Sequence, residues 1–175
     1  VTLSSAIVTG SSKALSDVNI AISTAAASNT YTSASDGSAS ASLTSGDTVT
    51  VTANLDYSNT SKAVTSQDAL DALKLSVGLT TSAGTKTAFE YLAADFNQDG
   101  KVSSQDALSI LKYSVGLTTP EQAKWIFLNT DGDYSGVSKS NTSYTEGVTV
   151  ADLSADTSVS LTGILIGDVN DSFIA

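Results

Sequence analysis

The polarity pattern of the chain changes period twice. Val18-Asn19-Ile20-Ala21-Ile22 and Val49-Thr50-Val51-Thr52-Ala53 alternate side chains with the two-residue period of a half-buried strand. Asp36-Gly37 and Gly46-Asp47 are turn signals between such runs. Residues 1–56 therefore predict short strands belonging to a small sandwich. Residues 57–118 switch to helical spacing, with Ala69, Leu70, Leu73 and Val77 on one stripe and Ala107, Leu108, Leu111 and Val115 on another. Gly78 and Gly116 follow the last predicted turn, where a left-handed cap is wanted. Thr87 and Glu90 have capping-box spacing and predict a further short helix. Residues 119–175 return to β. Strand candidates there are Trp125-Ile126-Phe127-Leu128, Val148-Thr149-Val150 and Val159 to Ile166, and Pro120 suits the first turn of a short helix.

The helical stretch is an internal repeat. Ser66-Gln67-Asp68-Ala69-Leu70 returns as Ser104-Gln105-Asp106-Ala107-Leu108, and Ser76 to Thr81 returns as Ser114 to Thr119. Thirteen of the 17 positions from 65 to 81 recur at a spacing of 38, too many for chance. The two helices are expected to bury their Leu/Val stripes on each other. Each β stretch is short enough to be marginal alone. They can form one sandwich with the repeat inserted, or two separate ones. The predicted class is α+β: an immunoglobulin-like or transthyretin-like sandwich plus a small helical module.

Composition narrows the chemistry. The chain has no Cys and no His, which removes disulfides, Cys or His zinc sites and Ser-His or Cys-His nucleophile pairs. Oxygen ligands remain, and these suit hard cations such as calcium. A net charge of −10 argues against nucleic acid and against anionic membranes. No apolar run approaches a membrane span, and no signal peptide opens the chain. Ser and Thr make up 53 of the 175 residues. With the acidity and the lack of Cys, this fits a piece of a longer secreted or cell-surface bacterial protein.

The strongest motif is the twelve-residue run Asp95 to Asp106. Asp95, Asn97, Asp99 and Asp106 put oxygens at positions 1, 3, 5 and 12. Gly100 stands at the sharp turn of position 6, Lys101 needs only its carbonyl at position 7, and Val102 can anchor the loop. This is EF-hand ligand spacing, with Asp in place of the bidentate Glu at position 12. Ser103 would act through water, and a polar turn with Ser103 and Asp106 as a helix cap is the plainer alternative. In the first repeat Tyr57, Asn59, Ser61 and Lys62 fall on positions 1, 3, 5 and 6. That set is poor in ligands, so Asp68 is expected to cap its helix with Thr65. Asp131-Gly132-Asp133 and Asp168-Val169-Asn170 start like calcium loops but read better as turns.

The middle stretch resembles a type I dockerin, a module of two loop-helix calcium repeats with Asp at position 12. The second copy fits that pattern across 95–116, while the first keeps the helix and loses most ligands. The resemblance implies calcium and a cohesin-like protein partner, or packing on flanking domains of the same chain. It maps partner choice to Ser66, Gln67 and Lys74 in one copy and to Ser104, Gln105 and Lys112 in the other. Val8-Thr9-Gly10, Ala14 to Val18 and Asp36-Gly37 resemble a carboxypeptidase-regulatory-like or X-module sandwich, a neighbour of dockerins. Gly167 to Asn170 resembles sequences that end dockerin-bearing bacterial surface proteins.

The expected function is therefore a non-catalytic calcium-binding module, acting in protein attachment or as a rigid element of an adhesin. Glycan binding by the sandwich is the alternative, with Trp125, Tyr134 and Tyr144 as candidate platforms, although the apolar run after Trp125 argues for a core position. Three glutamates, Glu90, Glu121 and Glu146, leave little for a hydrolase, so no enzyme is expected.

Overall fold

The computed structural model describes residues 1–58 and 62–174. Asn59 and Ser61 of the first repeat lie outside the described residues. Among the described residues, eight strands and three helices follow the order β1 to β5, α1 to α3, β6 to β8, which is an α+β fold. The strands are β1 (Thr2–Thr9), β2 (Asn19–Ser23), β3 (Ser28–Thr32), β4 (Ser38–Ser42), β5 (Val49–Asn54), β6 (Trp125–Asn129), β7 (Val148–Val150) and β8 (Thr157–Leu165). The helices are α1 (Ser66–Ser76), α2 (Ala88–Ala94) and α3 (Ser104–Ser114).

Two four-stranded sheets form, ordered β4-β1-β8-β6 and β3-β2-β5-β7. Strands from before and after the helices share both sheets. β1 runs parallel to β8, with Leu3 opposite Thr157 and Thr9 opposite Gly163. β5 and β7 pair antiparallel, with Val49 opposite Val150. Alternation puts Leu3 and Ile7 of β1, Ile20 and Ile22 of β2, and Val49 and Val51 of β5 into the core. β6 and the second half of β8 are buried without alternation, so both of their faces are covered. On one face Trp125 stacks with Phe127 and meets the Phe173 ring edge-on at 4.9 Å. α2 packs against β8. Gly163 of β8 is needed where the strands pack, because a Cβ would lie within 2.9 Å of Leu15 and Phe127 side-chain atoms.

The repeat is reproduced in the helices. Each opens on a capping box, Thr65 with Asp68 and Ser103 with Asp106. Each closes on a Schellman motif: Leu79 N–H to Lys74 O and Gly78 N–H to Leu75 O in one, Leu117 to Lys112 and Gly116 to Tyr113 in the other. Thr87 and Glu90 cap α2 as their spacing predicts.

The buried face of these helices differs from the expected one. α1 and α3 do pack together, but α1 buries Asp68, Ala69, Ala72 and Leu75, and α3 buries Asp106, Ala107 and Ile110. Leu70, Leu73 and Val77 face outward with Leu108, Leu111 and Val115. The capping carboxylates set this rotation. They are tied to backbone groups on the inner side, and small alanines beside them let the helices approach. The helix expected at Pro120 is also absent. That residue leads without a helical turn into β6.

Candidate metal centre

α2 ends at Asp95 and α3 begins after Ser103, so the loop Asp95 to Asp106 is held between two helices. Apolar anchors fix both ends. Phe96 is fully buried beside the Tyr113 ring at 5.6 Å, and Val102 is buried with its N–H donating to Lys139 O at 2.7 Å. Gly100 turns the chain at φ +93°, where a side chain would be strained.

Hydrogen bonds curl the first half of the loop. Asp95 Oδ1 accepts from Asp99 N at 3.1 Å, and its Oδ2 accepts from Gly100 N at 3.0 Å. Asn97 Oδ1 accepts from Asp99 N, and Asp99 Oδ1 accepts from Lys101 N. Asp106 reaches back to accept from Asn97 N at 3.1 Å, while its other oxygen takes the Ser103 N–H and hydroxyl. Asp95 and Asp106 are thus two buried carboxylates on one loop. Burial pushes the Asp95 carboxyl above its ordinary range. The Thr142 hydroxyl and Gly100 N–H oppose that shift, and the Asp106 charge adds to it.

The donor set, all hard oxygens on a backbone turned at position 6, fits calcium in kind. The carboxylates are not gathered, however. Among the described residues no three His, Cys, Asp or Glu side chains form a group able to hold a metal. Asp99 is turned outward, with Lys101 Nζ 3.7 Å from its Oδ2.

Thr142 is the residue that sequence reasoning missed. It is buried, it donates to Asp95 Oδ2, and its N–H bonds Gly100 O at 3.1 Å. It lies 47 positions from Asp95, and no spacing signal connects the two. The Asp131 region is a turn as read: Asp133 is exposed and its carboxyl is lowered by the Ser135 hydroxyl and N–H. In the first repeat Asp68 caps with Thr65 as expected, and it also accepts from Asn170 N at 3.2 Å.

Of the residues assigned to partner binding, Ser66, Gln67, Ser104, Gln105 and Lys112 are exposed. Lys74 is half-buried, with its ammonium 3.4 Å from the buried Asp71 carboxylate. The larger feature on this side is apolar. Leu70, Leu73, Val77 and Leu79, and their counterparts Leu108, Leu111, Val115 and Leu117, are 41–64% exposed.

Trp125 is buried and offers no platform for a sugar. A cavity of about 270 Å³ lies where the β1–β2 turn, α2 and the end of β8 meet. Its carboxylates are Glu90, Asp168 and Asp171. Glu90 accepts from Thr81, Thr85 and Thr87, Asp168 from Ser172 and Phe173, and Asp171 from Ser11. Among the described residues no helix is long and apolar enough to cross a membrane. Comparison with protein-family models, curated proteins and solved structures finds no match to this chain.

Proposed function

We propose that this chain is a non-catalytic, calcium-binding attachment module of a larger secreted or cell-surface protein, dockerin-like in its helical part. The observation that carries the reading is the apolar face of α1 and α3. It repeats residue for residue at a spacing of 38 and remains exposed although the same helices bury alanines inside. Contiguous exposed apolar surface is characteristic of protein-binding sites. A cohesin-like protein is the partner the resemblance implies, with Ser66, Gln67, Ser104, Gln105 and Lys112 as its polar surround.

Calcium would act at the loop that leads into α3. The Asp95, Asn97, Asp99 and Asp106 side chains and the Lys101 carbonyl would hold it. Its charge would offset the buried Asp95 and Asp106 carboxylates. Thr142 and Lys139 connect this loop to the stretch after α3, which supports a rigidifying action on the module as a whole. The sandwich, X-module-like in this reading, is the scaffold.

The test is calcium calorimetry on metal-stripped protein, with the melting temperature followed in parallel. We expect binding at the Asp95–Asp106 loop and a higher melting temperature. Calcium at a hundredfold excess over Kd stabilises a folded protein by about 2.7 kcal/mol. Asp99→Ala should abolish both responses. No uptake, or an unchanged response in that variant, rejects the metal assignment. Immobilised cohesin domains test the partner. Binding weakened at least about tenfold by Leu73→Ser with Leu111→Ser supports it, and no binding to any cohesin rejects it.

A further inference from the structure

The first repeat lacks an acidic loop of its own, yet Asp68 at the start of α1 is treated much as Asp106 is at the start of α3. The donor that reaches Asp106 Oδ1 is Asn97 N, at 3.1 Å, from the loop just upstream. The donor that reaches Asp68 Oδ1 is Asn170 N, at 3.2 Å, from beyond β8. The correspondence extends through six residues. Asp95 accepts from the fourth and fifth residues after it, Asp99 and Gly100, at 3.1 and 3.0 Å. Asp168 accepts from the fourth and fifth residues after it, Ser172 and Phe173, both at 2.9 Å. Gln98 N–H donates to Asp95 O at 3.3 Å, and Asp171 N–H donates to Asp168 O at 3.3 Å. Gln98 and Asp171 both have positive φ, at 56° and 52°. Phe96 and Val169, the second residue of each segment, are both buried.

The same segment is tied to the sandwich. Lys13 Nζ donates to the carbonyls of Asp171 and Phe173, Ser11 N–H donates to Asp171 Oδ2, and the Phe173 ring meets Trp125. Ser172 Oγ donates to Ala63 O at 3.0 Å, just before α1.

We propose that Asp168–Phe173 is a displaced half-loop, a clasp that closes the α1 unit from the far end of the chain and locks it to the sandwich. Hydrogen bonds and the Phe173 contact hold it, so it stands independently of the calcium and partner readings. It supplies to α1 what the contiguous loop supplies to α3. Release of the clasp would loosen α1 while leaving α3 in place.

Hydrogen exchange of the full chain, resolved to the two helices, tests this. Asp168→Ala removes the acceptor that shapes the clasp, about a hundred positions from α1 in sequence. The expected result is at least about tenfold faster exchange at the first-turn amides of α1, with α3 changed by less than about twofold. Ser172→Ala leaves the backbone bonds and removes only the hydroxyl contacts. It is read if Asp168→Ala does not fold, and should give a smaller increase at the same amides. Unchanged exchange in α1, or equal loosening of α1 and α3, overturns the proposal.

Discussion

α1 and α3 are nearly the same helix in two settings. Their caps, Schellman motifs and exposed leucines match position by position. What precedes them does not match. α3 receives its loop from the adjacent residues, and α1 receives the matching donor to its capping carboxylate, Asn170 N, from Asp168–Phe173. Their inner faces differ as well: Ala72 stands where α3 has Ile110, and the buried Asp71 stands where α3 has Ser109. Asp71 accepts from Ser82 N and Oγ, fastening the α1–α2 connection, a contact that the Ser109 position has no carboxylate to make. A repeat thus preserves what is local to a helix, while tertiary surroundings diverge around it.

The comparison breaks most readily at the inner face. Ile110→Ala removes a fully buried side chain from the α1–α3 contact and should cost about 2–5 kcal/mol. Denaturant unfolding measures it. A cost below about 1 kcal/mol would mean that α3 is not held by that residue.

Acidity sharpens the comparison at the clasp. Burial raises the Asp168 carboxyl to about 6, and the neighbouring Asp68 charge adds to the shift. Asp68 is itself raised by burial, Asp171 is also acidic, and Lys13 donates only to carbonyls there. A raised carboxyl takes up its proton more readily in the folded chain than in the unfolded one. Its contribution therefore favours folding increasingly as pH falls from above 6 to about 3.8. The isolated-group limit is on the order of 3 kcal/mol. Asp168→Asn should flatten that part of the stability–pH curve. Asp36 and Asp133, both lowered, act in the opposite sense, losing stability only as pH falls below 3.8. Identical curves for the two proteins would show that Asp168 is ordinary in the fold.

The smallest effect belongs to the shared outer face. Leu73→Ser and Leu111→Ser should each change stability by less than about 0.5 kcal/mol, because neither side chain fills the core. A loss of more than about 1 kcal/mol in either would show that the face is a structural contact.

The local half of this architecture was legible in the sequence. The three capping boxes, the glycines after α1 and α3, the strands at Val49, Trp125 and Val148, and the turns at Asp36-Gly37 and Gly46-Asp47 follow from short-range stereochemistry. The buried face of the helices does not follow from the leucine stripe, because Asp68 and Asp106 lie inside with the alanines and the leucines lie outside. Asp68 and Asp106, as inward caps, decided the rotation instead. Thr142 against Asp95 and Asn170 against Asp68 were invisible for a different reason. They connect positions 47 and 102 residues apart; Asp168-Val169-Asn170 shows its loop-like start in the sequence, but nothing local shows that it serves α1.

The parallel pairing of β1 with β8 also bears on how the chain emerges during synthesis. β1 to β5 are complete by Asn54, but the neighbours they need on one side of each sheet begin only at Val148 and Thr157. At about 5–20 residues per second, the intervening stretch of about a hundred residues takes roughly 5–20 s to follow. Throughout that interval β1 and β5 each present an unpaired edge, the kind of surface on which chains aggregate. The open strands read Thr-Leu-Ser-Ser-Ala-Ile-Val-Thr and Val-Thr-Val-Thr-Ala-Asn, with hydroxyls interrupting the apolar positions. Closure of both sheets therefore falls to β7 and β8, the last strands of the described chain to be made.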